Sequence, residues 1–482
     1  MRVPCLLVAA TALSLATVPA GADQILGPGR IDGAGTVLLP GGPALGRWQG
    51  GKFFSQPDAL NLPSTDQGST GSVDGFSVGG RKLPKILNDI PATLQSFGAV
   101  GDGIADDTAA VQAALNSGRA LTCQGRFKIT GLVTVQGTKD IHFKGTRRMC
   151  TFLYATSQSM IYINEQTSRG PLYKITIHDL SIIVQAAIIS VVGPDKTAAI
   201  YIKYDGGGVY NGPEASVDMD HVTISTDAPG HYVNGIYLYQ TNVSHLNHIV
   251  VQGDPTTLRG GVNAITYDGA NSPTTLYVTN SQFGNVDNGV LFPPVTASGW
   301  QGARLHNIDC TPCNIMINAI GGSDGLADYI DIRGLEGTFY TVGVQVSNVS
   351  HVFINQNYIF QTPVPVGQVA IPAFPMCINL SQTLPMNRNG GSASVTDNVC
   401  DGFFNSKQTH TARIGINLAG YSRQNLQWVI GSNRLANLDK GINVNIGVAG
   451  VLFYPQSFKN VTTGISNGAT AGDNATVAST AF

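Results

Sequence analysis

The chain has 482 residues, only 12% of them charged, and 58 glycines, against a usual charged share of about 25% and a glycine share of about 7%. A net charge of -2 without a cluster of Lys or Arg gives no electrostatic footprint for nucleic acid or anionic membrane. Low charge with abundant small polar residues fits a body that buries one face of many short strands. Such a body grows along one axis without splitting its core, so the length predicts one long domain rather than several.

In chain order, the first 22 residues read as an export signal. Arg2 supplies the positive start, residues 5–18 are mostly apolar, and small residues follow up to Ala22, so cleavage is expected after Ala20 or Ala22. The apolar run is too short to cross a bilayer and no other stretch approaches about 18 uninterrupted apolar residues. A secreted or periplasmic protein without a membrane span is the expectation. Residues 23–92 contain GPGRIDGAG, LPGGPALG and STDQGSTGSVDGFSVGG, which predict a loosely structured arm with one or two short strands, suited to attachment.

At residues 97–118, FGAVGDGIADDTAAVQAALNSG, glycines at 98, 101 and 103 permit a tight turn after a short strand. Asp106 or Asp107 is placed to cap a helix whose inner face carries Val111 and Leu115, and Gly118 ends it. A carboxylate doublet immediately before a helix reads as a cap and not as an acid/base pair. GDG also lacks the Lys-Ser/Thr of a phosphate loop and the GxGxxG of a dinucleotide site.

From residue 177 onward a short phrase recurs: an apolar residue, any residue, a small polar turn residue, then apolar residues again. It reads IHDLSI from Ile177, MDHVTI from Met219, LNHIVV from Leu246, VTNSQF from Val278, LHNIDC from Leu305, INQNYI from Ile354, VTDNVC from Val395 and IGSNRL from Ile430. A second phrase alternates with it, a small residue followed by strict in/out alternation: NGIYLY from Asn234, NGVLF from Asn288, VGVQV from Val342, IGINL from Ile414 and KGINV from Lys440. Apolar residues at every second position, mostly β-branched, favour strand over helix. Asn, Asp, His and Ser suit the bends because they tolerate left-handed backbone. Two short strands per irregular repeat predict a solenoid whose turns carry loops of variable length, a parallel β-helix. Residues 468–482, small and polar, predict a tail.

Once Cys5 is lost with the signal, Cys123, Cys150, Cys310, Cys313, Cys377 and Cys400 remain, an even number in an oxidising compartment. Two pairs, 123 with 150 and 377 with 400, lie about one coil apart, which would leave Cys310 with Cys313; a redox-active or metal-binding CxxC is the alternative.

The glycine-aspartate strand-turn-helix at residues 97–118, followed by these repeats, resembles the opening and coils of the pectate lyase superfamily, which includes pectate-lyase-like, polygalacturonase-like and phage tailspike proteins. The resemblance implies an all-β, single-stranded right-handed parallel β-helix over residues 93–467, with a short N-terminal helix closing the first coil. It also implies a polysaccharide partner, and it allows a homotrimer, as among tailspikes. The polygalacturonase-like set of NTD, DD, GHG and RIK is missing, since no GHG occurs and the one DD lies in the cap. The Asp-rich calcium constellation of pectate lyases is missing too. The superfamily is therefore better marked than the reaction.

An extended glycan would lie along outward side chains of the coils, where aromatic rings and polar groups meet sugars. The outward residues of the glycine-led strands include Tyr201, Lys203, Tyr237 and Tyr239, read as substrate contacts. The phrases IKYDG from Ile202 and ITYDG from Ile265 place Asp205 and Asp268 at equivalent corners, and Asp324 sits in a later loop. Two carboxylates about 5 to 10 Å apart serve glycoside hydrolysis, so Asp205, Asp268 and Asp324 are the candidate catalytic residues of a hydrolase. A lyase would instead use a base such as Lys203 or His231, with the uronate neutralised by a cation such as calcium. No other cofactor is implied. A non-catalytic glycan-binding protein and a uronate C5-epimerase are the alternatives.

Overall fold

In a computed structural model, the described residues are 91–468 without loop segments 137–139, 166–173, 205–216, 228–229, 255–260, 270–274, 295–299, 322–326, 363–373, 383–390, 403–412, 421–426, 446–447 and 449, plus the backbone of short strands between residues 24 and 82. The signal read at residues 1–22 and the tail beyond residue 468 lie outside the described residues. The chain divides into two compact units, Met1–Pro91 and Ala92–Phe482. In the first, Gln24–Leu26, Gly29–Ile31, Thr36–Leu38, Ala44–Gln49 and Lys52–Ser55 pair in sequence order as an antiparallel sheet, and Ser77–Val78 pairs with Arg81–Lys82. That is more strand than the one or two expected, because segments of three residues between glycine turns are too short for alternation to register.

The second unit is a parallel β-helix. Its chain winds right-handed, the hand that twisted strands impose on nearly all parallel crossovers. Each full coil contributes to three parallel ladders. Sheet 1 holds the glycine-led strands, such as Ile200–Tyr204 and Met376–Ser381. Sheet 2 holds the first half of the recurring phrase, such as Val217–Asp220, and sheet 3 its second half, such as Thr223–Thr226. In sheet 1 the inward column runs Ile161, Ile200, Ile236, Ile265, Val290, Ile317, Val344, Ile378, Ile416, Ile442, one residue per coil, and all are buried. Each such side chain contributes about 1.5–3 kcal/mol of burial, so the stack supports strands that none could sustain alone.

The bend between sheets 2 and 3 explains the recurring phrase. Its third residue is left-handed in every copy: Asp179, His221, His248, Asn280, Asn307, Gln356, Asp397 and Ser432, with φ between 50° and 59°. Strand register stacks these corners in one column. Gly334, at φ 62°, occupies the same column, in the coil IRGLEG from Ile332. The phrase search passes over that coil because its corner is a glycine and not a polar residue. In the last coils the next residue is a fully buried asparagine, Asn357, Asn398 and Asn433. Asn357 Oδ1 accepts the Leu335 N–H, and the ladder continues from Asn357 Nδ2 to Asn398 Oδ1 at 2.8 Å and from Asn398 Nδ2 to Asn433 Oδ1 at 2.9 Å, while Asn398 Nδ2 also donates to the Ile354 carbonyl.

Helix α1, Thr108–Asn116, closes the first coil with buried Val111, Ala114 and Leu115. The aspartates before it are structural. Asp106 Oδ1 accepts the Thr108 N–H at 3.1 Å and Oδ2 accepts the Thr130 hydroxyl at 2.6 Å. Asp107, itself buried, accepts the Val100 and Gly101 N–H groups, and Asp102 accepts those of Ile104 and Ala105. Gly118 follows the helix at φ 64°, as a left-handed terminator should. Disulfides join Cys123 to Cys150, Cys310 to Cys313 and Cys377 to Cys400.

Candidate functional site

Four strands of sheet 1, Met160–Glu165, Ile200–Tyr204, His231–Tyr239 and Gly261–Asp268, lie on consecutive coils. Their alternation turns isoleucines inward and aligns two outward columns: Tyr162, Tyr201, Tyr237, Thr266, and beside it Asn164, Lys203, Tyr239, Asp268. Tyr201 is flanked by Tyr162 and Tyr237, with ring centroids 4.9 Å and 5.0 Å away. Its hydroxyl donates to Asp195 Oδ1 at 2.8 Å, in the segment that leads into the strand. The Tyr237 hydroxyl donates to Asp268 Oδ2, and the Gly269 N–H donates to Asp268 Oδ1 at 2.7 Å. Lys203 Nζ stands 3.8 Å from Asp195 Oδ1 and 5.6 Å from the centre of the Tyr239 ring. Two carboxylates, an ammonium and an aromatic ring thus converge on one outer surface, all carried by in-register parallel coils.

The chain folds as a right-handed parallel β-helix. No protein-family model and no curated protein matches it. Among solved structures this β-helix is similar to PfbA, a surface adhesin of Streptococcus pneumoniae, at 13% identity over 78% of this chain and 93% of that one, with a TM-score of 0.48. It is also similar to a family 28 exopolygalacturonase of Yersinia enterocolitica, at 11% identity over 80% and 79%, TM-score 0.43, and to the Dettilon tailspike protein, at 15% over 80% and 70%, TM-score 0.40. At such identities and scores the likeness goes no further than the fold.

The β-helix brings Tyr201, Lys203, Tyr237, Tyr239 and Asp268 onto neighbouring coils of one sheet. Asp205 and Asp324 lie outside the described residues. One expectation is corrected: the described strands of the IKYDG and ITYDG phrases do not stack letter on letter. Ile202 aligns, two coils on, with Tyr267 and not with Ile265, so Asp268 is in register with Lys203 and Tyr239. A slip of two residues preserves which side chains face outward, so the alternation in IKYDG and ITYDG could not reveal it. Tyr201 and Tyr237 are also more enclosed than a sugar-stacking role requires, at 0% and 4% exposure. Their rings meet other side chains, which leaves Tyr162 and Tyr239, the latter beside Lys203, as the half-buried rings of these columns.

Burial, then the neighbouring carboxylate, raises the Tyr201 and Tyr237 phenols far above their ordinary range. As hydroxyl donors they each hold one carboxylate by a charge-assisted bond. Asp195 had no sequence signal beyond its place ahead of a strand, in VVGPDKT. Only the fold of that segment back over Tyr201 reveals it.

A second outward cluster on sheet 2 went unread in the sequence. Tyr277, Arg304, Asp331 and Phe353 form one column and Thr279, His306, Arg333 and Asn355 its neighbour. Asp331, 6% exposed at its side chain, receives Arg333 Nε at 2.7 Å and has His306 Nε2 3.2 Å away, the latter off hydrogen-bond angle. Arg304 Nε donates to the Tyr329 hydroxyl at 3.2 Å, and the guanidinium carbon lies 5.4 Å from the Tyr277 ring centre. His245 and Tyr277 stack at 4.6 Å with planes 8° apart. Because these rings stack along the coil axis, they offer edges to a ligand, and their shared faces are spent on each other. For Thr279, His306 and Asn355 the signal was available as the outward second letter of their phrases, whereas Tyr277, Arg304 and Phe353 stand just ahead of the phrases and Asp331 and Arg333 lie in the coil whose corner is Gly334.

Proposed function

We propose that this is a secreted or periplasmic glycan-active protein that binds an extended polysaccharide across sheet 1 and cleaves it by hydrolysis. The observation that carries the reading is the pairing of Tyr201 with Asp195 and Tyr237 with Asp268 on consecutive coils, with Lys203 beside them. Coils are spaced by about 4.8 Å, and Asp268 lies two coils on from the strand that Asp195 leads into, while both carboxylates are drawn toward the tyrosines between them, so a separation of up to about 10 Å is expected. That is the range in which one carboxyl protonates the leaving oxygen while the other attacks or activates water. Lys203 and Tyr239 are the proposed substrate contacts. Tyr201 and Tyr237 are positioning residues that orient the two carboxylates, and Asp205 and Asp324 remain candidate catalytic groups. The three disulfides support an oxidising compartment. A homotrimer is compatible with this reading, and light scattering on the purified chain reads the assembly directly.

The test is incubation of the purified chain with acidic and neutral polysaccharides. New reducing ends without the ultraviolet absorbance of an unsaturated uronate are expected, and Asp268→Asn is expected to lower that rate about 10²- to 10⁴-fold. Unsaturated products would replace hydrolysis with elimination, supported by Lys203 as base and calcium as counter-ion. Uronate inverted at C5 without chain scission would mean an epimerase. Binding without any covalent change would mean a glycan-binding protein. Should Asp195→Asn, Asp205→Asn, Asp268→Asn and Asp324→Asn each leave an observed cleavage untouched, the site is elsewhere.

A further inference from the structure

At the bend between sheets 2 and 3, Asp220, His221 and His248 meet at the edge of two successive coils. Their ligand atoms all lie within 4.8 Å of one another. His221 Nδ1 is 2.9 Å from Asp220 Oδ2, and His248 Nδ1 is 3.1 Å from Asp220 Oδ1. The imidazoles stack with centroids 4.3 Å apart, so both Nδ1 atoms address the same carboxylate. Both histidines occupy left-handed corners, at φ 54° and 51°, in strands locked into register on either side. The cluster is preorganised by backbone, with about a third to a half of each side chain open to water.

A second observation concerns the His248 nitrogen. The Asn247 amide nitrogen lies 2.7 Å from His248 Nδ1, and its orientation is fixed because the Asn247 oxygen already accepts from Thr279 Oγ1 and Asn280 Nδ2, both at 2.9 Å. The same Asn247 nitrogen donates to Asp220 Oδ1 at 2.9 Å, the oxygen that His248 Nδ1 also approaches, so three nitrogens, Asn247 Nδ2, His221 Nδ1 and His248 Nδ1, crowd one carboxylate. With His248 Nδ1 deprotonated, its lone pair and the carboxylate oxygen face each other, and a cation between them turns both into ligands.

We propose that Asp220, His221 and His248 bind one divalent transition-metal ion, zinc before others, which clamps two consecutive coils. Two imidazoles and a carboxylate are the donor set that borderline ions prefer over calcium or magnesium. Bonds of about 2.0–2.1 Å in a tetrahedron set ligand edges of roughly 3.3 Å, close to the nitrogen–oxygen separations already present. Three protein ligands at a half-exposed edge leave a fourth position for water.

Untagged, chelator-treated protein is titrated with zinc chloride by calorimetry, and its melting temperature is recorded with and without the ion. One zinc per chain and a rise in melting temperature are expected. His221→Asn and His248→Asn should each weaken binding at least tenfold and abolish the rise. Asparagine is chosen because Asn280 and Asn307 fill the next two positions of the same corner column, so the variants should fold without the ion. Absence of zinc binding overturns the proposal, and so does binding that survives both substitutions unchanged.

Discussion

Two side chains that look alike in the sequence do different work because of what their neighbours leave available. Tyr239 and Tyr237 both point outward from one strand, yet only Tyr237 is enclosed and hydrogen-bonded to Asp268. Tyr237→Phe keeps the packing and removes the donor, so in an enzyme that uses Asp268 it should lower kcat roughly tenfold, the worth of one charge-assisted hydrogen bond, with little change in KM; steady-state kinetics on the cleaved glycan reads this. Asp106 offers a residue-scale test of the cap that needs no substrate. Hydrogen bonds from Thr108 and Thr130 hold its carboxyl below the ordinary value of 3.8. Its folded pKa is depressed, so its stabilisation is complete above about that pH and is lost as pH falls through the lower folded value. Asp106→Asn should therefore reduce the melting temperature near neutrality and narrow that difference under strong acid, as a melting series across pH would record. The candidate site was partly legible: period-two alternation marks Tyr201, Lys203, Tyr237 and Tyr239 as outward. Asp195 was not, because its contact with Tyr201 depends on a chain reversal that leaves no periodic trace.

Strands and bends divide the labour of holding a coil. The strands supply buried apolar columns, which many residues of similar size would satisfy, whereas the bends impose a sign of φ and a hydrogen-bonding duty on single positions. Buried Asn398 links three coils, accepting from Asn357 and donating to the Ile354 carbonyl and Asn433. Asn398→Ala leaves those groups unpaired in the interior, at a cost on the order of 3 kcal/mol. Asn280→Ala, at an exposed corner of φ 50°, meets mainly the left-handed penalty of about 1–2 kcal/mol. Thermal melting of the two variants should rank them in that order, and equal losses would mean that the buried ladder carries no special weight. The recurring phrase was legible because its corners are polar residues or glycine in left-handed backbone. The coil at Gly334 shows the limit, since a search for polar corners passes over the residue that adopts this backbone most easily.

A stack of coils has two ends, and each presents strand edges and apolar rungs that would invite other chains. Helix α1 covers the first end with Val111, Ala114 and Leu115. A chain beginning at Ala92 keeps this cover and is expected to elute as a discrete folded species in size exclusion; one beginning at Leu121 should aggregate, and its remaining soluble and compact would show the helix dispensable. By itself the sequence determined that this molecule is a β-solenoid, where most of its coils bend and where its one helix starts and stops, whereas the cysteine pairing stood beside a redox or metal-binding alternative until the disulfides were seen. The first three properties follow from short-range rules, namely alternation of period two, left-handed corners and capping chemistry, repeated often enough to be read. Only the tertiary structure decided which residues of different coils share a column. Ladder register can slip by two without disturbing any local pattern, and the register adopted here pairs Asp268 with Tyr239 and brings it to the Tyr237 hydroxyl. Proximity across coils is a property of the winding, and for the same reason two histidines that share only a corner motif in the sequence meet at one carboxylate.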